Sequence, residues 1–296
     1  MDFFKYIHAV GTGPKSNRDL SFDEAKDMMQ QILDQSVPSE QIAAFLLGWR
    51  LKPETNEEFQ GALSVCDLNS IQHPVPNSIE LGYPFDGKAK NPYIFPLVAQ
   101  ELQKEKLNLV ISGDLKQPAK DGITVKEIVT QTPLSDNIYY FEREEFFNKL
   151  HKLTDIRNRL GLRTAFNTIE KLPGIAQSDY AITGVFHKPY VKKYSEIFKK
   201  RYKRLALIQG NEGTPEIFSK GRLWIVEGDQ ISEYKIDPNN FDINYKKSWE
   251  KITLQESLQQ LQEPSQEYKK LAKLNAAIYL FVTQKADSIE DAYAKL

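Results

Sequence analysis

Between His187 and Arg204 the chain reads HKPYVKKYSEIFKKRYKR, placing Lys188, Lys192, Lys193, Lys199, Lys200, Arg201, Lys203 and Arg204 against the single acid Glu196. Wound at 3.6 residues per turn, Val191, Tyr194, Phe198, Tyr202 and Leu205 fall on one side. Lys192, Lys199 and Lys203 lie opposite, flanked by Lys193, Lys200 and Arg204. The pattern predicts a helix from Tyr190 to about Tyr202, held by its aromatic stripe and presenting a row of cations. A phosphodiester backbone, whose charges repeat along a line, complements such a row. Lys192, Lys193, Lys199, Lys200, Lys203 and Arg204 are therefore the residues expected to bind nucleic acid, single- or double-stranded. Tyr190, Tyr194 and Tyr202 offer rings for unpaired bases, but stripe positions predict core packing for most of them.

Other chemistries are bounded by what is missing. Cys66 is the only cysteine and the four histidines are dispersed, so neither an internal disulfide nor a zinc site is expected. No side chain is assigned a catalytic role, and nucleic-acid binding needs no metal or cofactor. The 296 residues are 41% hydrophobic with a net charge of −1, ordinary content for one or two globular domains. Any nucleic-acid affinity must then come from a patch rather than from the whole surface. The start MDFFKYIHAVG lacks the basic opening and long apolar core of a signal peptide. No apolar run approaches the ~20 residues of a membrane span. A cytoplasmic protein without a membrane partner is expected.

The elements that would position these residues change character along the chain. Up to about residue 68 the reading is helical. A short helix spans Asp2 to Val10, and Ser21 caps Phe22 to Gln35 with Glu24 at the capping-box position. Further helices open at Ser39 and at Thr55. After His73, strand candidates at Ile79 to Leu81, Leu107 to Ile111, Ile138 to Phe141, Tyr180 to Val185 and Arg204 to Ile208 alternate with helical stretches. The alternation points to a parallel α/β sheet. One helix is expected over Glu144 to Arg159, and a hairpin around Gly228-Asp229. Helices close the chain from Leu254.

SFDEAKDMMQQILDQSVPSEQIAAFLLGWRLKPETNEEFQGA, RLGLRTAFN with AITGVFHKPY, and NAAIYLFVTQKADSIEDA resemble, in that order, blocks of the anthranilate phosphoribosyltransferases (TrpD, glycosyltransferase family 3). The resemblance implies a small helical domain at 1–72 with a returning helical segment at 144–172. It also implies a larger α/β domain at 73–143 and 173–296 with a central, mostly parallel sheet. A homodimer through the helical domain follows, and the apolar Phe45, Leu46 and Trp49 are the face expected to form it.

The family's donor-binding motifs are altered. Where GTGGD is expected the chain has YPFDGKAKN, and where KHGN is expected it has SGDLKQ. Of an acidic pair that helps hold magnesium, Glu216 remains beside Pro215. Arg163 matches the arginine facing the aromatic acid, a vestigial acceptor site. Lys88 and Lys90 would sit at the old pyrophosphate pocket as phosphate contacts. FDGKAKNP and GTGPKSNRDLS resemble the divergent YbiB-type branch, which implies nucleic-acid binding without anthranilate phosphoribosyltransferase activity. The alternative is a family transferase with an unassigned phosphoribosyl or nucleoside substrate. It would have a donor site rebuilt from Lys88, Lys90 and Asp114, and magnesium as its cofactor.

Overall fold

The first four helices are α1 (Phe4–Gly11), α2 (Phe22–Leu33), α3 (Ser39–Leu51) and α4 (Asn56–Leu68). They are seen in a computed structural model that describes residues 3–210, 212–246, 248 and 250–296, so the helix start expected at Asp2 lies outside the described residues. Capping boxes begin α2 and α4, with Ser21 and Glu24 serving one and Thr55 and Glu58 the other. Glu58 also accepts from Trp49 Nε1 at 2.9 Å and from the Leu20 N–H at 2.8 Å, tying the bundle's centre together. Phe45, Leu46 and Trp49 are almost completely buried within the chain itself. They form its own core and are not a free face for a second copy, contrary to the sequence expectation.

The α/β part follows as β1 (Ser78–Gly82), α5 (Phe95–Leu102), β2 (Asn108–Gly113), α6 (Val125–Val129) and β3 (Ile138–Glu142). The expected helix over 144–159 is broken into α7 (Arg143–Phe146), α8 (Asn148–His151) and α9 (Thr154–Leu160), with extended φ at Phe147 interrupting it. Then come α10 (Phe166–Ile169), β4 (Tyr180–Val185), α11 (Pro189–Phe198), β5 (Arg204–Gln209), β6 (Gly221–Glu227) and β7 (Gln230–Ile236). Helices α12 (Leu254–Gln262), α13 (Gln266–Val282) and α14 (Ile289–Lys295) finish the chain. The sheet order is β3-β2-β1-β4-β5-β6-β7, parallel from β3 to β5, with β6 and β7 an antiparallel hairpin at one edge. One face of the sheet shares a core with α1–α4 and α11; the other packs against α5 and α13.

Helix α11 stops at Phe198, four residues before the expected end. Lys199 to Arg201 form a turn, Lys203 sits in a bend and Arg204 starts β5, so the predicted cations do not share one helical face. Tyr202 is drawn inward, where its hydroxyl donates to Glu80 at 2.8 Å. Arg201 reaches the Pro173 carbonyl at 2.8 Å and pairs with Asp67.

Two buried charge sites run through this frame. Arg143, directly after β3, binds both Asp114 and Glu170. Glu170 is clasped by Arg157 as well, at 2.6 and 3.0 Å, and all four groups are buried. Separately, burial pushes the Glu80 carboxyl in β1 up to about 7, against the opposing pull of its bonds from Tyr202 and the Gly174 N–H.

Glu170→Gln leaves two buried guanidiniums sharing one acid, and urea denaturation should show a loss of about 3–5 kcal/mol. For Glu80 the unfolded carboxyl ionises first, near its ordinary 4.5. The unfolded state therefore binds fewer protons between pH 4.5 and 7, and stability falls across that window by up to about 3 kcal/mol. Glu80→Gln should remove this part of the pH dependence in denaturation curves at pH 5 and pH 8.

Candidate functional site

The C-terminal ends of β1, β4 and β5 open into a cleft of about 560 Å³ beneath the helical domain. Arg50 and Phe59 line it from α3 and α4, and Arg163, Thr164 and Lys171 from the segment around α10. Arg50 also donates to the Arg163 carbonyl, joining the two walls. Crevices at the strand ends of such sheets are their usual ligand sites.

The loop after β1 was expected to meet phosphate. Gly87 takes φ +79°, and a Cβ there would stand 2.4 Å from the Ile123 carbonyl oxygen. This close pass sends the next three residues round a turn whose N–H groups converge. The N–H groups of Ala89, Lys90 and Asn91 all donate to the carboxylate of Glu212, as does Asn91 Nδ2 at 3.1 Å. Burial alone would raise the Glu212 carboxyl, but Lys88 and the amide bonds outweigh it and hold the group below the usual glutamate value. An anion-binding turn is present, and its occupant is a side chain of the same molecule.

Lys88 is fully buried, paired with Glu216 and donating to the Pro92 carbonyl at 2.7 Å. It is not available to a phosphate, which corrects the sequence expectation. Glu216 also accepts from Tyr83 Oη at 2.6 Å and from the Ile94 N–H at 3.0 Å, so its cation is an ammonium. Asp114 is bound by Arg143, His151 and the Leu115 N–H. Among the described residues no group of three or more His, Cys, Asp or Glu is placed to hold a metal ion. These residues do not fit the magnesium that the family resemblance implies. The side chain of Lys90 is exposed.

Arg163 faces the cleft, with Asp86 bridging its Nε at 2.9 Å and its Nη2, and the Phe186 ring 5.8 Å away. Of the predicted basic set, Lys193 lines the cleft and pairs with Glu54 at 3.6 Å. Lys199 pairs with Asp229 at 2.7 Å, Lys203 with Asp179 at 2.8 Å and Arg204 with Glu227 at 2.9 Å. Lys192 and Lys200 are exposed and have no anionic partner among the described residues. Glu54, Asp179, Glu227 and Asp229 all lie outside the basic stretch, so a local reading of its charge does not register them.

Sequence reasoning passed over Lys171, in FNTIEKLPG. Its amine donates to the Gly184 carbonyl at 2.8 Å and the Gly213 carbonyl at 2.9 Å. A Cβ on Gly184 would lie 2.2 Å from the Gly213 carbonyl carbon, so only glycine lets strand and loop close over the lysine. Burial, with Lys120 and Arg163 adding to it against Asp86 and Glu170, pushes Lys171 down to about 7. FNTIEKLPG sets Lys171 directly after Glu170 among mixed polar and apolar residues, so nothing local marks it as buried.

A helical bundle on a mostly parallel sheet, with a cleft over the strand ends, defines a two-domain transferase scaffold. The chain belongs to the glycosyl transferase family (family 3): residues 5–66 match its helical bundle domain and residues 125–296 its a/b domain. An uncharacterized protein of Aquifex aeolicus is 28% identical over 201 residues, covering 67% of this chain and 65% of that protein. The anthranilate phosphoribosyltransferase of Neisseria meningitidis serogroup C is 27% identical over 93% of this chain and 86% of its own length. Among solved structures, anthranilate phosphoribosyltransferase from Thermus thermophilus superposes with a TM-score of 0.75 at 16% identity, covering 99% of this chain and 93% of that one. The enzyme from Saccharomyces cerevisiae in complex with PRPP and Mg gives 0.76 at 15% identity, covering 99% and 92%. These structures share its fold.

Glu212→Ala should empty the amide turn. The variant is expected to lose about 1–3 kcal/mol for the donors left without an acceptor. Tens of millimolar inorganic phosphate should raise its melting temperature while leaving the parent unchanged, as read by differential scanning fluorimetry.

Proposed function

We propose that this chain binds nucleic acid without sequence preference and does not transfer phosphoribosyl groups to anthranilate. The observation that carries the first half is a mixed edge beside the cleft mouth. Phe186 and Tyr190 are exposed there at 38% and 48%, with His187 and Lys188 between them also at the surface. Lys192 continues the edge on α11, and Lys193 and Arg163 face the cleft itself. Exposed rings beside cations suit single strands, whose bases stack while their phosphates follow the charge. Tyr194 and Tyr202 are buried and take no part. The loss of transfer is supported by Glu212 filling the amide turn and by Lys88 pairing with Glu216, contacts that leave neither group open to a ligand. A homodimer belongs to the same reading and would double the edge.

Fluorescence anisotropy with a labelled single strand at several salt concentrations tests the binding. Neutralising Lys192 and Lys200 should reduce the slope of log affinity against log salt by about 0.7 per lost contact. Neutralising the paired Lys203 should change it little. Tyr190→Ala should weaken binding by about 1–3 kcal/mol. A strand long enough to span two protomers should bind more tightly than a short one. Anthranilate supplied with phosphoribosyl pyrophosphate and magnesium should give no product. Unchanged affinity and slope in folded variants would reject the edge, and family-level turnover would reject the second half.

A further inference from the structure

We propose that Lys171 is an amine nucleophile that captures a phosphate-bearing aldehyde in the cleft. A neutral lysine has two N–H bonds, and the Gly184 and Gly213 carbonyls accept two. The lone pair then stays free for a carbon electrophile. The charged groups packed around the amine are Lys120, Arg163, Asp86 and Glu170, and the Tyr194 ring lies 5.5 Å away. With its value pushed down to about 7, roughly 70% of Lys171 is neutral at pH 7.4, against about 0.1% for an ordinary lysine.

The cleft supplies the rest of the site. Arg50, Arg163 and Lys193 line it and Lys120 lies 3.8 Å from Asp86, against the carboxylates of Glu54, Asp86 and Glu212, so four cations face three acids and a phosphate has counter-charge. Thr164 lines the same space, is 5% exposed, and its Oγ1 has no hydrogen-bond partner among the described residues. A volume of about 560 Å³ holds a small phosphorylated carbonyl compound with room to spare.

The step balances without an oxidant or reductant. The nitrogen lone pair adds to the carbonyl carbon, the carbonyl π pair moves to oxygen, and a proton passes from nitrogen to that oxygen. A further proton from solvent then lets that hydroxyl leave as water and gives a protonated imine, which water hydrolyses back to amine and aldehyde. The aldehyde has two sources: a free phosphorylated aldehyde, or the open sugar of an abasic site between two strand phosphates. The second source rests on the nucleic-acid reading, and the first does not.

Pyridoxal 5′-phosphate and a single-stranded oligonucleotide with one abasic site are the two probes, each trapped by borohydride, which reduces the imine to a stable secondary amine. Peptide mass mapping at pH 7.4 should place the adduct on Lys171 in at least one arm. Lys171→Arg, which keeps donors for both carbonyls but has no nucleophilic amine, should lower its yield at least tenfold. An adduct in the first arm alone assigns the free aldehyde; one in the second assigns the strand. No adduct in either arm, or label spread over surface lysines, overturns the proposal. An intact oligonucleotide run alongside separates the two readings: if it binds while both traps fail, only aldehyde capture is lost. If it does not bind while pyridoxal phosphate traps on Lys171, only the nucleic-acid reading is lost.

Discussion

Four buried charges, Asp114, Arg143, Glu170 and Arg157, tie the ends of β2 and β3 to the segment that carries Lys171 into the cleft. Each ion alone would cost several kcal/mol to bury, and the set persists because its two acids and two guanidiniums alternate. Its geometry is also structural information. Asp114 follows β2, Arg143 follows β3, and Glu170 sits one residue before Lys171. The ends of two strands and the floor of the cleft are therefore registered against one another by ion pairs, whereas apolar packing alone would let them slide.

The same logic of internal pairing extends outward from that centre. Glu212 fills the turn at residues 89–91, Lys88 neutralises Glu216, and Asp86 holds Arg163. The amide turn and the buried lysine beside the cleft are thus answered by the chain's own side chains. What stays open is the wall carrying Lys171, Thr164 and Lys193, and the rim with Phe186 and Tyr190.

The parts of the fold that were legible in the sequence were those fixed locally. The Ser21–Glu24 capping box and the apolar strand from Leu107 to Ile111 declare themselves within a few residues. The end of α11 did not, because Tyr202 follows the helical stripe yet is claimed by Glu80 from 122 positions away. The basic face was misread for the same reason. Its neutralising acids, Glu54, Asp179, Asp229 and Glu227, lie on other elements, and charge counted along the chain is blind to them. Lys88 looked like a loop cation because nothing nearby in sequence announces Glu216. Glu212 was passed over because a single glutamate in the loop GNEG carries no pattern at all.

The Lys88–Glu216 pair also constrains how this chain can change. Removing the lysine alone strands a buried carboxylate, and removing the glutamate alone strands a buried ammonium. Either intermediate forfeits about 3–5 kcal/mol of a typical total of about 5–15 kcal/mol. A sequence drifting one substitution at a time therefore meets a valley between this arrangement and one that binds a divalent cation. The pair acts as a ratchet, and replacing it requires both positions to move together.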